Sequence, residues 1–511
     1  MCEACCSGSM NRRQFMASAS ALTAAGFLTP GVAAGAAQNQ PRAAGGKKVR
    51  ICTLLGQEGQ PDRNWNICGD DFEVIRARLD EIENNLGNVE FVTGRVNNAG
   101  EAASLMEEAG EDAPVLAISS GIGWLIGVMP PVLEANRPAA VYSYPGSGHD
   151  WMYPPRWREE EGHPVTLFSS SDYGELERAA KLLRAPALMK QSRALLFPNA
   201  QGTAASCDPD QVKEKLGADV VEIPYERVED IIDGLDEDAV EAETDRWINE
   251  AQDVIEPSRN DVVMASRMCL AFDQLIEEEQ ADAVTVGGCL GWLERGFPCL
   301  AFTQLRDRGI PAVCEGDMDS LWTMMLFQYA FDLPGFQGNN YIDTAQNSMW
   351  IAHCTGARKM DGPNGEAAAY LLRGHSEVGG DGAVPEVLYR EGQEITRTKF
   401  VHLDTFLLSN GVIAEVPEKS TIACRTQVRT EVKDAERMAR TWGGGVLRPE
   451  HGMMTMLHRV LFYGDHTRDV EHLANLMGVQ VIREDLTRIV HRMFHQRVCR
   501  AGGTCVFGIG R

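Results

Sequence analysis

Residues 281–289 read A-D-A-V-T-V-G-G-C, and residues 299–317 read C-L-A-F-T-Q-L-R-D-R-G-I-P-A-V-C-E-G-D. An apolar run over Ala283–Val286, a helical stretch over Leu300–Arg306, a glycine turn and a second apolar run over Ile310–Cys314 spell strand, helix, strand. That order belongs to a parallel sheet covered by helices. The second run stops at an acidic triplet, Glu315-Gly316-Asp317. In open α/β sheets, ligands collect beyond the carboxyl ends of the strands. A carboxylate placed there is poorly solvated unless something pairs with it, and a divalent cation is a natural partner.

Toward the N-terminus the same alternation continues. Strands are predicted at Val49–Leu55, Val89–Thr93, Pro114–Ser119 and Ala139–Tyr144, then at Ala194–Phe197, Val220–Ile223 and Val262–Ala265. Phe72, Ile75, Leu79, Ile82 and Leu86 recur at steps of three and four and form one helix stripe, closed by Gly87. Further helices are expected at Arg227–Leu235 and Asp319–Phe331, and Tyr144–Pro164, rich in Pro, Gly and Trp, reads as a crossing between two units. Past His353 glycine increases, and Lys399–Leu408 and Thr421–Val432 alternate as antiparallel strands do, before helices near Val470–Leu476 and Leu486–His495. The expected fold is therefore α/β. Two doubly wound parallel-sheet domains, 49–165 and 166–345, precede a β-rich, barrel-like domain over 346–511.

The chain of 511 residues is long enough for more than one core. Its 48 Lys and Arg against 73 Asp and Glu give a net charge of −25, which repels polyanions and argues against nucleic acid or an anionic membrane as partner. Residues 1–37 read as an address label: Arg12-Arg13-Gln14-Phe15-Met16 is a twin-arginine core followed by a weakly apolar Ala-rich run. Residues 38–48 form a polar linker. The run falls short of the ~20 strongly apolar residues of a membrane span, so twin-arginine export is expected and stable membrane insertion is not. Of 14 cysteines, Cys2, Cys5 and Cys6 precede the twin arginine, leaving 11 without C-x-x-C spacing. Neither a zinc cage nor a paired disulfide framework is implied, and Cys314 and Cys354 read as small apolar residues beside the acidic triplet.

Three further segments join the triplet. D-T-A-Q-N-S-M-W-I-A-H-C spans Asp343 to Cys354, Gly411–Thr426 ends Ala423-Cys424-Arg425-Thr426, and His458-Arg459-Val460-Leu461-Phe462-Tyr463-Gly464-Asp465 follows later. Their order and spacing resemble the L-fucose/L-arabinose isomerase superfamily over most of residues 165–490. The last segment is similar to that family's N-H-Y-A-L-V-Y-G-D, although Leu457 and Arg459 flank the histidine here. The resemblance implies a manganese-type site with Glu315 and Asp343 as carboxylate ligands and His458 as the imidazole ligand, His353 and His451 standing in reserve. It also implies a homo-oligomer. Two oxygens and a nitrogen suit Mn²⁺, with Mg²⁺, Co²⁺ or Fe²⁺ as alternatives. The expected reaction is aldose–ketose isomerisation of a neutral sugar through an enediol, with Glu315 and Asp343 also carrying protons. Two other functions remain open: an exported sugar-binding protein built from paired α/β units, and a metal-dependent epimerase or lyase. Asp343 also has a local reading as an Asx turn beside Asn347, and His353 as a satisfied core histidine.

Overall fold

Why the quoted stretch becomes strand, helix and strand is visible in which cores its residues join. The computed structural model describes residues 47–56, 72–119, 121, 123–145, 149–288, 295–418 and 423–485. All of these belong to one compact unit, Pro41–Arg511. The leader, the linker up to residue 46 and the helix expected at Leu486–His495 lie outside the described residues.

Five strands, β1 (Val49–Leu55), β2 (Val89–Arg95), β3 (Val115–Ser119), β4 (Ala139–Ser143) and β5 (Val165–Ser169), form a parallel sheet in the order β2-β1-β3-β4-β5. Successive residues of β1 alternate between two cores. Ile51 and Leu55 pack with the helix stripe of Ile75, Leu79 and Ile82, while Cys52 and Leu54 pack with Ala102, Leu105 and Met106. Both faces are covered, as the continuous apolar strands require. Residues 150–159 make only short helices, and β5 returns to this first sheet, so the Pro-rich stretch is an excursion and the sheet extends past residue 165.

The second parallel sheet has the order β10-β9-β6-β7, from β6 (Arg193–Leu196), β7 (Asp219–Glu222), β9 (Ala283–Val286) and β10 (Ala312–Cys314). A two-residue β8 (Asp253–Val254) pairs elsewhere, with β13 (Tyr370–Arg373), which also pairs with β14 (Val384–Val387). The strand expected at Val262–Ala265 is instead the start of a helix, Arg259–Glu278. Ser258 and Asp261 cap each other's backbone there, and Val262, Ala265, Met268, Cys269, Phe272, Leu275 and Ile276 make a helical stripe against the sheet. A short apolar run cannot show its own period, and here the capping box decides.

The third sheet closes on itself. β11 (Phe336–Asp343), β12 (Ser348–His353), β15 (Glu394–Val401), β16 (Thr405–Glu415), β17 (Thr426–Glu431) and β18 (His458–Tyr463) pair antiparallel in the ring β15-β18-β11-β12-β17-β16, with β16 returning to β15. β19 (Gln480–Arg483) adds in parallel to β16. Seven strands thus form the β-rich part, and β11 belongs to it although it precedes residue 346. The helix Met318–Phe331 is buried over nearly its whole length between the two kinds of sheet. One core joins Ile51, Ala194, Leu326, Phe400 and Val460 across the two parallel sheets and the ring. Among the described residues no helix is long and apolar enough to cross a membrane.

Candidate metal centre

The second sheet and the ring meet at the carboxyl end of β10. There the chain runs through two consecutive left-handed residues, Glu315 (φ 64°) and Gly316 (φ 68°). A non-glycine residue in that region is strained and persists only where its surroundings fix it. What fixes it is close backbone packing among three strand ends. A Cβ on Gly287, just after β9, would lie 2.1 Å from the Pro198 carbonyl oxygen, and one on Gly316 would lie 2.4 Å from that of Asn199. Gly316 N donates to Val286 O at 2.9 Å, and its own carbonyl accepts from Gln201 N at 2.8 Å. Glu315 is thereby turned away from its strand and toward the ring.

The ring supplies two imidazoles. His353 ends β12 and His458 begins β18; β11 lies between those strands, with Asn339 opposite both Ala352 and His458. The two rings are 5.4 Å apart at 70°. Glu315 Oε1 is 3.8 Å from His353 Nε2, and Glu315 Oε2 is 3.1 Å from His458 Nε2. One ligand atom from each residue fits within 4.8 Å of the others. Ligands at ~2.1 Å from a common ion stand roughly 3–4 Å apart, so little contraction is required. Glu315 Oε2, His353 Nε2 and His458 Nε2 are all buried without a hydrogen-bond partner, the 3.1 Å pair being off the hydrogen-bonding line. Three unpaired polar atoms at one point cost several kcal/mol unless a ligand satisfies them together. This buried Glu/His/His group could hold a metal ion.

The far side of each imidazole is held. His458 Nδ1 donates to Asp317 Oδ2 at 2.9 Å, which leaves the lone pair of the neutral ring on Nε2, facing Glu315. Asp317 in turn accepts from Lys399 Nζ at 2.8 Å and from Ser320 N and Oγ at 3.0 and 2.7 Å. Asp317, Lys399 and His458 are all fully buried. Gln337 clamps the Cys314 backbone with both ends of its amide, placing its nitrogen 3.0 Å from His458 Nδ1. Behind His353, Thr355 Oγ1 lies 3.4 Å from Nδ1 and takes a hydrogen bond from the buried Arg306.

Electrostatics follow from this packing. Burial works to raise the Glu315 carboxyl, but His458 and His353 outweigh it and hold the group down to about 2. Asp317 behaves alike: burial is outweighed by Lys399 and His458, and its carboxyl sits well below the usual range. Burial lowers His353 to about 4, so its ring is neutral near pH 7. Burial also disfavours a charged His458, yet Asp317 and Glu315 together raise it. A divalent cation can take the place of that proton between two carboxylates.

Of the residues expected from sequence, Glu315, His458 and the reserve His353 converge; Asp343 and His451 do not. Asp343 ends β11, four residues beyond Asn339 and so roughly 13 Å along the strand from the level of His458. Its Oδ1 accepts from Ala345 N and Gln346 N at 2.9 and 3.2 Å, the Asx-turn alternative, in the hairpin to β12. His451 receives the Arg448 backbone N–H at 3.1 Å and packs edge-on against His402. Sequence reasoning gave no role to Asp317, Lys399, Gln337 or Thr355. Lys399 gave little signal: it sits mid-strand in Glu394–Val401 behind polar Thr396, Arg397 and Thr398, and its burial is visible only in the folded strand. The sequence matches no known family and no curated protein.

Proposed function

We propose that this chain is a divalent-metal-dependent enzyme of the aldose–ketose isomerase type, acting on a neutral sugar. The observation that carries the reading is the convergence of three unpartnered ligand atoms at a strand end, open on one side where the Glu315 side chain keeps 25% exposure. Mn²⁺ is the proposed ion. Fe²⁺ and Co²⁺ suit the same donors, whereas a second imidazole in place of a second carboxylate weakens the case for Mg²⁺. When bound, such an ion supplies Lewis-acid polarisation of neighbouring substrate oxygens.

The chain's own residues divide the remaining work. Glu315, His353 and His458 would hold the ion, and Asp317 with Lys399 fixes the ring of His458. A carboxyl held near 2 is a weak proton acceptor, so Glu315 serves as ligand ahead of base. The proton moved between C2 and C1 must then be carried by a group other than Asp343. The absence of a second carboxylate from the group favours one competing reading, a sugar-binding protein without catalysis. Incubating the metal-loaded protein with a panel of aldoses in D₂O separates them. Deuterium at C1 of a ketose supports the isomerase, deuterium at C2 of recovered aldose supports an epimerase-like enolisation, and saturable binding without exchange sinks both. Twin-arginine export and assembly as a homo-oligomer belong to the same proposal and rest on the leader and the resemblance.

A further inference from the structure

Beside the metal centre lies a small apolar cluster that the proposed function does not use. Phe297, Ala352, Val384, Cys354 and Cys424 all belong to it. Cys354 directly follows β12, and Cys424 stands two residues before β17. The two strands are antiparallel, with His353 as the last residue of β12 opposite Thr426 as the first of β17, so both cysteines sit just beyond the same end of this strand pair. The two thiols share one buried cluster and lie close enough for each to act on the other's ionisation. Their polar surroundings come from one short loop. His375 acts on the Cys354 thiol, Ser376 Oγ is 4.0 Å from Cys354 Sγ, and Glu377 Oε1 is 3.5 Å from Cys424 Sγ.

We propose that Cys354 and Cys424 are a redox pair that closes to an intramolecular disulfide, tying the ends of β12 and β17 together one residue from His353. The oxidant is a small-molecule or protein disulfide. One cysteine sulfur attacks it to give a mixed disulfide, and the other displaces the leaving thiol. Two thiol protons and two electrons pass to the oxidant, which departs as two thiols. Among the described residues Cys299 shares the cluster and is the one competitor there. Cys314 Sγ faces Thr355 Oγ1 at 3.4 Å, and Cys52 and Cys269 lie in separate cores. The inference does not depend on a metal being bound. The link would restrain the backbone that carries His353, which is where a redox signal could reach the site.

The test is a peptide map of the full chain. Protein is exposed to oxidised glutathione, and a second sample is refolded in a glutathione redox buffer. Both are then alkylated and digested without reduction. The expected product is one linked pair of peptides containing Cys354 and Cys424, lost on treatment with a phosphine reductant and absent from Cys354→Ser and Cys424→Ser. The wild-type map suffices if either variant fails to fold. Recovery of both cysteines as alkylated thiols from both samples overturns the proposal, as does a link from either to Cys299 or Cys314.

Discussion

Asp317 Oδ2 lies 2.9 Å from His458 Nδ1, and both side chains are fully buried. The same carboxylate oxygen takes the Lys399 ammonium at 2.8 Å, so one buried anion serves two buried donors from different strands of the ring. Separating such charges from water is costly, and the arrangement is stable only while all three members are present.

Lys399→Met tests that dependence. Removal of one member of a buried pair leaves the other uncompensated, at a cost of about 3–5 kcal/mol. The variant should lose stability of that order in urea denaturation. It should also bind a divalent cation more weakly, because Asp317 would no longer be held against His458. Lys399→Arg should recover part of both losses, and a variant as stable as wild type would show that the buried triad contributes nothing.

Asp343→Ala separates the two roles that the sequence allows for this residue. As an Asx turn it is expected to cost about 1 kcal/mol, the worth of the hydrogen bonds to Ala345 and Gln346, with Mn²⁺ affinity unchanged. A tenfold or larger loss of Mn²⁺ affinity by titration calorimetry would restore it as a ligand.

Gly287→Ala should be severe for a residue that touches no ligand. A methyl group there meets the Pro198 carbonyl at 2.1 Å, so the ends of β6 and β9 must move apart and release the turn that aims Glu315. Loss of soluble protein or a markedly lower melting temperature is expected. A melting temperature matching wild type would mean that the strand ends are not closely packed.

The pattern of residues carried much of this structure. β1 and β9 fall where apolar runs bounded by turn residues place them, and the helix expected at Asp319–Phe331 is found as Met318–Phe331, capped by the side chain of Asp317. Val262–Ala265 misled because four apolar residues fit either period. The ring was legible only as extended chain, since closure depends on β16 pairing back to β15, a contact that no local spacing encodes. The metal centre shows the same limit. Glu315 could be read from its place after a strand. The choice between Asp343 and His353 depends on β11 and β12 being a hairpin whose far end carries the aspartate away and whose near end brings the histidine in. Asp317 stood in the quoted triplet, but its partner Lys399 comes from a distant strand.

Acid should loosen the docking of the C-terminal helix Thr467–Met477 through His472. Its Nδ1 lies 2.7 Å from Thr166 Oγ1 on β5, and its ring stacks on Phe168 at 4.4 Å. Burial, with help from Arg178, lowers its pKa to about 4. Asp469 pulls the other way but is itself paired with Arg178. The unfolded chain takes up this proton near 6.5 and the folded chain near 4. Between those values the unfolded state binds more protons, so the stability is fully present above 6.5 and is lost as pH falls toward 4. With partial exposure discounted, the loss at pH 5 relative to pH 7 is about 1–2 kcal/mol. His472→Gln, which keeps a partner for Thr166 and cannot titrate, should remove that share of the pH dependence in urea denaturation. Identical pH dependence in the two proteins would exclude His472 as its source.

The metal itself is the decisive measurement. Purified protein stripped with chelator and dialysed against Mn²⁺ should retain about one ion per chain, because one group of three ligand atoms is present among the described residues. Binding only the native state, the ion raises stability by about 2.7 kcal/mol at a free concentration 100-fold above Kd. The melting temperature should therefore rise with Mn²⁺ in wild type and stay flat in a Glu315→Gln/His458→Ala double variant. His353→Ala distinguishes this donor set from the one that the resemblance implies. If His353 is a ligand, its removal weakens binding as much as loss of His458 does, whereas Asp343→Ala changes nothing. The opposite ranking, with His353→Ala silent and Asp343→Ala deleterious, would falsify the Glu315, His353 and His458 assignment even if the protein still bound one ion.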